Sequence, residues 1–507
     1  MKAALEVERK FDARADASMP TLARVPGVGS VSPAVEQHLE ATYFDTSDLR
    51  LREAGITLRY RTGGTDAGWH LKLPMGIDRE EVQVQGPAAA VPGELAALLR
   101  AQVRGRPLAP VAQLSTARTV RHLLSRTGEV LVELADDLVT GRPLPQGSGC
   151  SWREWEAELR GGDRAVLDAV QEQLHAAGAV PSRSASKLAR LLPAPPKPAA
   201  GRAGSRPSRR SRRSRSAAAV VQAHLAAQVE ELITRDPQAR RELPDAVHKM
   251  RVATRRLRSA LATFGPLLDR SRTDPLREEL GWLAGALGGV RDTEVMLARL
   301  RDLLAVEPPE LMLGPVRARL ETHMTQRHLR ARRQLLDALN SQRYLQLLDD
   351  LDQLALAAPF RREAKAAAPP ALARLLRRAW RRLNRAMIAA EAAHGARAAE
   401  LLHEVRKDAK RMRYATEAVQ PIFGRPATRF AGQMEALQES LGGLQDGMVT
   451  TQVLRVLGAA GHVQGENGFT LGRLHALEQV RSDSAMRAWQ RTRADVAPAR
   501  TRTWMQP

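Results

Sequence analysis

The stretch LEVERKF, residues 5–11, decides how the first part of this chain is read. Read as a strand, it puts Glu6, Glu8 and Lys10 on one face, with Val7, Arg9 and Phe11 on the other. The same alternation recurs further along. In ITLRYR (56–61), Arg59 and Arg61 oppose Leu58 and Tyr60; in WHLKLP (69–74), His70 and Lys72 oppose Trp69, Leu71 and Leu73. In WREWEAEL (152–159), Glu154, Glu156 and Glu158 oppose Trp155, Ala157 and Leu159. The apolar faces suit a core packed on helices. The charged faces are not mixed: acidic residues dominate at 6–8 and 154–158, basic ones at 59–61. Closing such a sheet into a barrel sets the two kinds opposite each other. A charged interior costs several kcal/mol per unpaired ion, so it calls for water, a metal and a polyanion. Paired carboxylates suit a hard divalent cation such as Mg²⁺ or Mn²⁺. Arginine and lysine suit phosphate oxygens. Hydrolysis of a phosphoanhydride is chemistry that such a site can do.

Composition sets outer bounds. The chain has 507 residues, which predicts two to four domains. No apolar stretch follows Lys2 as in a secretory signal, and none approaches the length of a membrane span. Cys150 is the only cysteine, which excludes an intrachain disulfide and an all-cysteine zinc site. A bacterial-type cytoplasm is therefore the expected location, with no membrane partner. The net charge of +22 is uneven. Residues 1–195 hold 24 basic and 24 acidic side chains, and the rest of the chain holds 54 and 32. One part is balanced; the other seeks an anion.

The chain divides at PAPPKPAAGRAGSRPSRRSRRSRS (193–216), which has no acidic residue and no apolar periodicity and reads as an extended basic linker. Before it, strand patterns alternate with turns, and ELAALLRAQV and DRAVLDAVQEQLHAAG read as helices. After it, the pattern is helical almost throughout. That second part contains a duplication: VHKMRVATRRLRSAL (247–261) aligns with LHEVRKDAKRMRYAT (402–416). LGGVRD (287–292) and LGGLQD (441–446) follow each at matching distances. The expected fold class is α+β multidomain, with an N-terminal antiparallel β tunnel or barrel flanked by helices over 1–192. The linker spans 193–216. An all-α domain of two duplicated bundles, about 217–375 and 376–507, completes the chain.

Glu6-x-Glu8-x-Lys10 resembles the ExExK signature of the CYTH domain, the triphosphate tunnel metalloenzyme superfamily. YFDT (43–46), LRYR (58–61), LKLP (71–74), Arg118 in STAR, ELADD (133–137), EWEAEL and SKLAR (186–190) follow in that family's order. The resemblance implies a tunnel of antiparallel strands and metal-dependent hydrolysis of triphosphate. It implies Glu6, Glu8, Glu156 and Glu158 as metal ligands, together with the acid of ELADD. That acid is Asp137 by its parity with Glu133, with Asp136 the competing choice. It implies Lys10, Arg59, Arg61, Lys72, Arg118 and Lys187 as the triphosphate cradle, with Arg121 competing with Arg118. Glu6, Glu8 and Lys10 are then the catalytic signature, and Glu154 is expected at the rim.

On a helical wheel His248, Arg251, Arg255 and Arg258 share one face, and His403, Arg406, Lys410 and Arg413 do the same in the repeat. With cations around each histidine and no carboxylate on the face, an anion is the expected ligand, not a metal. Further basic stripes run through Arg374, Arg378, Arg381 and Arg385, and through His323, Arg327 and Arg330. Like charges at helical spacing destabilise a helix, a cost that a bound polyanion relieves. The duplicated histidine helices resemble the CHAD domain, a conserved-histidine helical family. That resemblance implies inorganic polyphosphate as the partner and an association with polyphosphate granules. A non-catalytic polyphosphate adaptor is the alternative reading. Non-specific nucleic-acid binding ranks lower, because aromatic residues make up only 4% of the chain and stacking platforms are scarce. The sequence leaves the oligomeric state open.

Overall fold

The computed structural model describes residues 1–192, 215–463, 465–496 and 498–506. The chain forms two compact units, Met1–Ala203 and Gly204–Pro507. Residues 193–214, nearly all of the basic linker, lie outside the described residues. The last two linker positions belong to the helical unit, since Arg215 O accepts from Ala368 N and Ser216 caps the first helix there.

The first unit is built on eleven strands: β1 (Lys2–Glu6), β2 (Glu8–Ala13), β3 (Ser30–Val31), β4 (Val35–Asp45), β5 (Thr57–Thr62), β6 (Gly68–Met75), β7 (Asp78–Val84), β8 (Ala109–Leu124), β9 (Val130–Pro143), β10 (Cys150–Leu159) and β11 (Val180–Pro181). They pair in the order β1-β7-β6-β5-β4-β8-β9-β10-β2-β11, with β3 beside β8, and the pairings are antiparallel. LEVERKF is thus not one ladder strand. It breaks at Val7: β1 pairs with β7, while β2 pairs with β10 at the far end of the sheet. Leu159 N donates to Val7 O at 2.9 Å. The continuous chain through Val7 joins the two ends of the sheet and makes it a tunnel.

The alternation sorts side chains as expected. Trp69, Leu71 and Leu73 face outward onto Leu95, Leu98 and Leu99 of α2 (Gly93–Val103). Phe11, Trp155 and Ala157 face Leu167, Val170 and Leu174 of α3 (Arg164–Ala176), whose first turn is capped by Asp163; α1 (Arg50–Glu53) precedes both helices. Leu188 and Leu191 of the short α4 (Lys187–Leu191) pack on Tyr43, Leu114 and Val139. Each buried aliphatic or aromatic side chain contributes about 1.5–3 kcal/mol, and this outer core holds the charged inner faces in place.

The second unit contains α5 (Ala217–Arg240), α6 (Ala246–Thr263), α7 (Arg270–Ala305), α8 (Val316–Asn340) and α9 (Gln342–Leu356). Then follow α10 (Ala368–Glu391), α11 (Gly395–Phe423), α12 (Arg425–Val463) and α13 (Phe469–Val496). The repeated histidine segments are α6 and α11, which pack on each other, and the LGG motifs lie on α7 and α12. The midpoint read from the repeat, 375/376, falls inside α10. The paired glycines of the two motifs have matching neighbours. A Cβ on Gly288 or Gly442 would sit 3.4 or 3.2 Å from the guanidinium of Arg251 or Arg406. A Cβ on Gly289 or Gly443 would sit 3.5 or 3.2 Å from Ala331 or Ala485 on the next helix. In the second motif a Cβ would crowd both the arginine and the neighbouring helix; in the first, both distances are ordinary van der Waals contact.

Candidate functional site

The tunnel encloses about 280 Å³ and is lined by charged side chains from most of the strands. Antiparallel register fixes which of them meet. Lys10 stands opposite Glu156, and Glu158 stands between Glu8 on β2 and Glu133 on β9. Glu154 stands between Asp12 and Asp137, Arg118 opposite Asp137, and Lys72 opposite Glu81. Arg59 and Arg61 point in from β5, with Tyr43 beside Arg59 at 3.3 Å.

The carboxylates fall into two groups. In the deep group, Asp137, Glu154 and Glu156 bring oxygens within 4.8 Å of one another, a spacing that suits a metal ion. Here the Lys187 ammonium fills it, at 2.9, 2.7 and 2.8 Å from the three. Arg118 adds two bonds to Asp137, at 2.7 and 2.6 Å, and one to Glu156 at 2.7 Å, and Lys10 also holds Glu156. Burial pulls the Glu156 carboxyl up, but Lys10, Lys187 and Arg118 outweigh it and hold it well below the usual range. Asp137 is lowered by the same balance, against burial, through Lys187 and Arg118. The deep group takes a divalent cation only if Lys187 leaves it.

The second group is Glu6, Glu8, Glu133 and Glu158: Lys72 holds Glu6, Lys10 lies 3.1 Å from Glu8, and Arg160 is shared by Glu158 at 2.8 Å and Glu133 at 3.0 Å, which leaves the four adjoining acids undercompensated. Glu8 is lowered by Lys10 and Lys72 against its burial. Glu158 is pushed up to about 7 by burial, and the nearby Glu6 and Glu133 add to the rise while Arg160 opposes it. Glu6 is held by Lys72 through one oxygen, while its buried Oε2 has no hydrogen-bond partner among the described residues. An orphaned buried oxygen costs about 1–3 kcal/mol, and like charges placed directly across strands repel. A divalent cation removes both penalties, so these residues fit the metal that the sequence implies. On the basic side, Arg59 Nε and Arg61 Nε are buried donors without partners among the described residues. They suit phosphate oxygens.

In the second unit, Arg251, Arg255, Arg406 and Lys410 converge between α6 and α11. Burial lowers Lys410 to about 6, helped by Arg255, Arg406 and Arg251 and opposed by Asp446. Arg255 is lowered by burial, Arg251 and Arg406. Arg406 Nε is another buried donor without a partner among the described residues. The carboxylates absent from the helix face itself come from the LGG motifs: Asp292 lies 3.2 Å from Arg251, and Asp446 lies 4.0 Å from Arg406. His248 is lowered by burial and by Arg291, and His403 Nδ1 meets Gln445 at 3.1 Å.

Family models match both units: the CYTH domain over residues 4–192 and the CHAD domain over 223–455. Uncharacterized protein MT2285 of Mycobacterium tuberculosis (strain CDC 1551 / Oshkosh) is 35% identical over 492 residues, 94% of this chain and 93% of its own. The chain belongs to the CYTH–CHAD family. Among solved structures, PptA from Streptomyces chartreusis is 24% identical with a TM-score of 0.47, covering 55% of this chain and 100% of that one. The CHAD domain from the plant Ricinus communis is also 24% identical, with a TM-score of 0.42, covering 55% of this chain and 93% of its own. No helix among the described residues is long and apolar enough to cross a membrane.

The CYTH unit brings Glu6, Glu8, Lys10, Arg59, Arg61, Lys72, Arg118, Glu156, Glu158 and Lys187 to one cavity. Asp137 does not line that cavity; it is fully buried behind it, bound by Arg118. Of the open pairs, Asp136 faces outward to Arg153 and Arg121 reaches toward Met19. Glu154 is not at the rim: it is 3% exposed, gripped by Lys187 and by the Trp152 indole at 2.6 Å. Sequence reading missed Glu81, which holds His70 at 3.1 Å and is lowered by His70, Lys72 and Arg59 despite its burial. Its alternation with Val82 and Val84 is the signal that the sequence offers. Glu133 carries one as well, its parity with Asp137. Asp66 and Arg160 lie outside the named strands and carry none.

In the CHAD unit, Arg413 is neutralised by Glu417 at 2.9 Å and Glu435 at 2.5 Å. Arg258 lies over Gly281 and is lowered by burial and Arg277. Arg374, Arg378, Arg381 and Arg385 are on the exposed face of α10, and Arg327 and Arg330 are exposed on α8. These six make no ion pairs among the described residues. The convergent cluster is narrower than the stripes suggested.

Proposed function

We propose that the CYTH tunnel hydrolyses inorganic triphosphate, or a related short phosphoanhydride, with Mg²⁺ or Mn²⁺, and that the CHAD unit binds inorganic polyphosphate. The observation that carries the reading is one 280 Å³ cavity in which undercompensated carboxylates share the lining with buried arginine donors. Glu6, Glu8, Glu133 and Glu158 are the residues proposed to hold the metal. When bound there, the metal neutralises phosphate oxygens and acidifies water. Arg59, Arg61, Arg118, Lys10, Lys72 and Lys187 orient the phosphate chain, and the enclosed walls keep bulk water from screening those contacts. Asp137, Glu154 and Glu156 set the positions of Arg118, Lys10 and Lys187; in this reading Asp137 and Glu156 act through the cations they hold. A bacterial cytoplasm and polyphosphate granules fit this chemistry as the place where it operates.

The test is phosphate release by the full chain from triphosphate, ATP, pyrophosphate and long polyphosphate, each with and without Mg²⁺ or Mn²⁺. Triphosphate is expected to be turned over fastest and only with metal. No release from any of the four with either metal leaves the adaptor reading in its place.

Polyphosphate binding is expected to take up protons. Lys410 titrates near 6 in the empty site because burial, Arg255, Arg406 and Arg251 oppose its charge. A bound polyanion raises that value. Affinity therefore falls as pH rises from about 6 toward the value in the complex. Titrations at pH 5.5, 7 and 8.5 and constant ionic strength should show this decline in the wild type. Lys410→Arg, which stays charged, should bind with a much flatter pH profile. A decline of equal size in the variant assigns the effect to the histidines instead.

A further inference from the structure

The β5–β6 hairpin places an acid where the tunnel reading puts a phosphate. Strand β5 ends at Thr62 and β6 begins at Gly68, leaving Gly63–Ala67 as the tip. The tip is folded tightly: Gly63 has φ +80°, and a Cβ there would lie 1.9 Å from His38 O, so only glycine fits. Gly64 follows at φ +70°. Two side chains tie the tip down, His70 Nε2 to Asp66 O at 2.8 Å and Gln85 Nε2 to Ala67 O at 3.0 Å. Thr65 and Asp66 thereby become part of the tunnel lining, and the Asp66 carboxylate pairs with the guanidinium of Arg61.

The two partners are unequal. The Arg61 side chain is 9% exposed and repelled by Arg59 and Arg118, whereas Asp66 is 37% exposed. Asp66 can turn to water; Arg61 is fixed and needs an anion. Arg61 is also the inward-facing residue of β5 nearest the hairpin. Arg59 stands opposite His70, and Thr57 stands opposite Lys72, which holds Glu6. Each step of two residues along a strand is about 7 Å, so Arg61 is the position farthest along β5 from the Glu6 carboxylate.

Building on the phosphoanhydride reading of the tunnel, we propose that Asp66 is a specificity-determining residue, an internal carboxylate that occupies the outermost phosphate position at Arg61. Pyrophosphate anchored near Glu6 leaves the Asp66–Arg61 pair intact. A longer chain reaches Arg61 only by displacing the carboxylate, so Asp66 penalises every chain long enough to reach that position.

The test uses Asp66→Asn, which keeps the shape and the carbonyl that His70 holds. Calorimetric titrations with pyrophosphate, triphosphate and tetraphosphate are run on the full chain carrying Arg251→Ala/Arg406→Ala, so that the helical unit contributes little. Asp66→Asn is expected to tighten triphosphate and tetraphosphate about tenfold while changing pyrophosphate less than twofold, and the gain should vanish when Arg61→Gln is also present. Unchanged or weaker binding of the two longer chains overturns the proposal, as does an equal gain in the Arg61→Gln background. Hydrolysis is measured separately on the same proteins. Tightening without turnover in any of them rejects the enzymatic reading and leaves the Asp66 assignment standing.

Discussion

Glu8→Gln and Glu6→Gln are each expected to lower triphosphate turnover by on the order of 10²-fold or more, equivalent to about 3 kcal/mol or more of barrier. The reason is the geometry of the undercompensated group. Glu8 faces Glu158 across β2 and β10, Glu158 faces Glu133 across β10 and β9, and Glu6 adds a buried oxygen without a partner among the described residues. An amide keeps the size and removes the charge that a hard cation requires. The fold should survive, because neither side chain belongs to the outer core of Phe11, Trp155 and their partners; thermal melting checks that. Mn²⁺ binding without substrate, followed by electron paramagnetic resonance, should weaken in both variants alongside turnover. Wild-type rates in both variants, or turnover that needs no metal, would remove the N-terminal acids from the metal site.

The second large effect is expected in the CHAD unit. Arg251→Ala/Arg406→Ala should weaken binding of long polyphosphate by about 10–100-fold and flatten its dependence on salt. For duplex DNA, each neutralised phosphate contributes about 0.9 to the slope of log K against log salt. Two lost contacts on a comparable line charge should therefore reduce the slope by about 1.5–2. These two arginines are singled out because they are the centre of the cluster. Each crosses a glycine of its LGG motif, and together they repel Lys410 and Arg255. Arg413, already bound by Glu417 and Glu435, is the internal comparison. Its alanine variant should change the slope far less. An identical slope in the double variant and the wild type would place the anion elsewhere, with the exposed arginines of α10 the next candidates.

How much of the site is legible in one dimension depends on the kind of information each feature needs. Strand alternation is local, with a period of two fixed by the backbone. The amino-acid order by itself therefore separates Glu6, Glu8, Lys10, Arg59, Arg61, Lys72, Glu156 and Glu158 from the outer core residues. The helical repeat is equally legible, because a duplication copies its spacing. Closure of the sheet is not. LEVERKF reads as one strand, and only the tertiary pairing splits it at Val7 between β7 and β10. Charge compensation is not legible either. Periodicity says which way Glu154 and Glu158 point. It does not say that Lys187 fills the space among Asp137, Glu154 and Glu156, nor that Glu158 is left beside Glu133 and Glu6 with a carboxyl near 7. Ion pairing depends on distances of a few ångströms between segments far apart in the chain, and a one-dimensional pattern does not carry them. Asp66 shows the same limit from the other side. Its place at Arg61 comes from a glycine turn and a histidine bond, and a turn has no period to read.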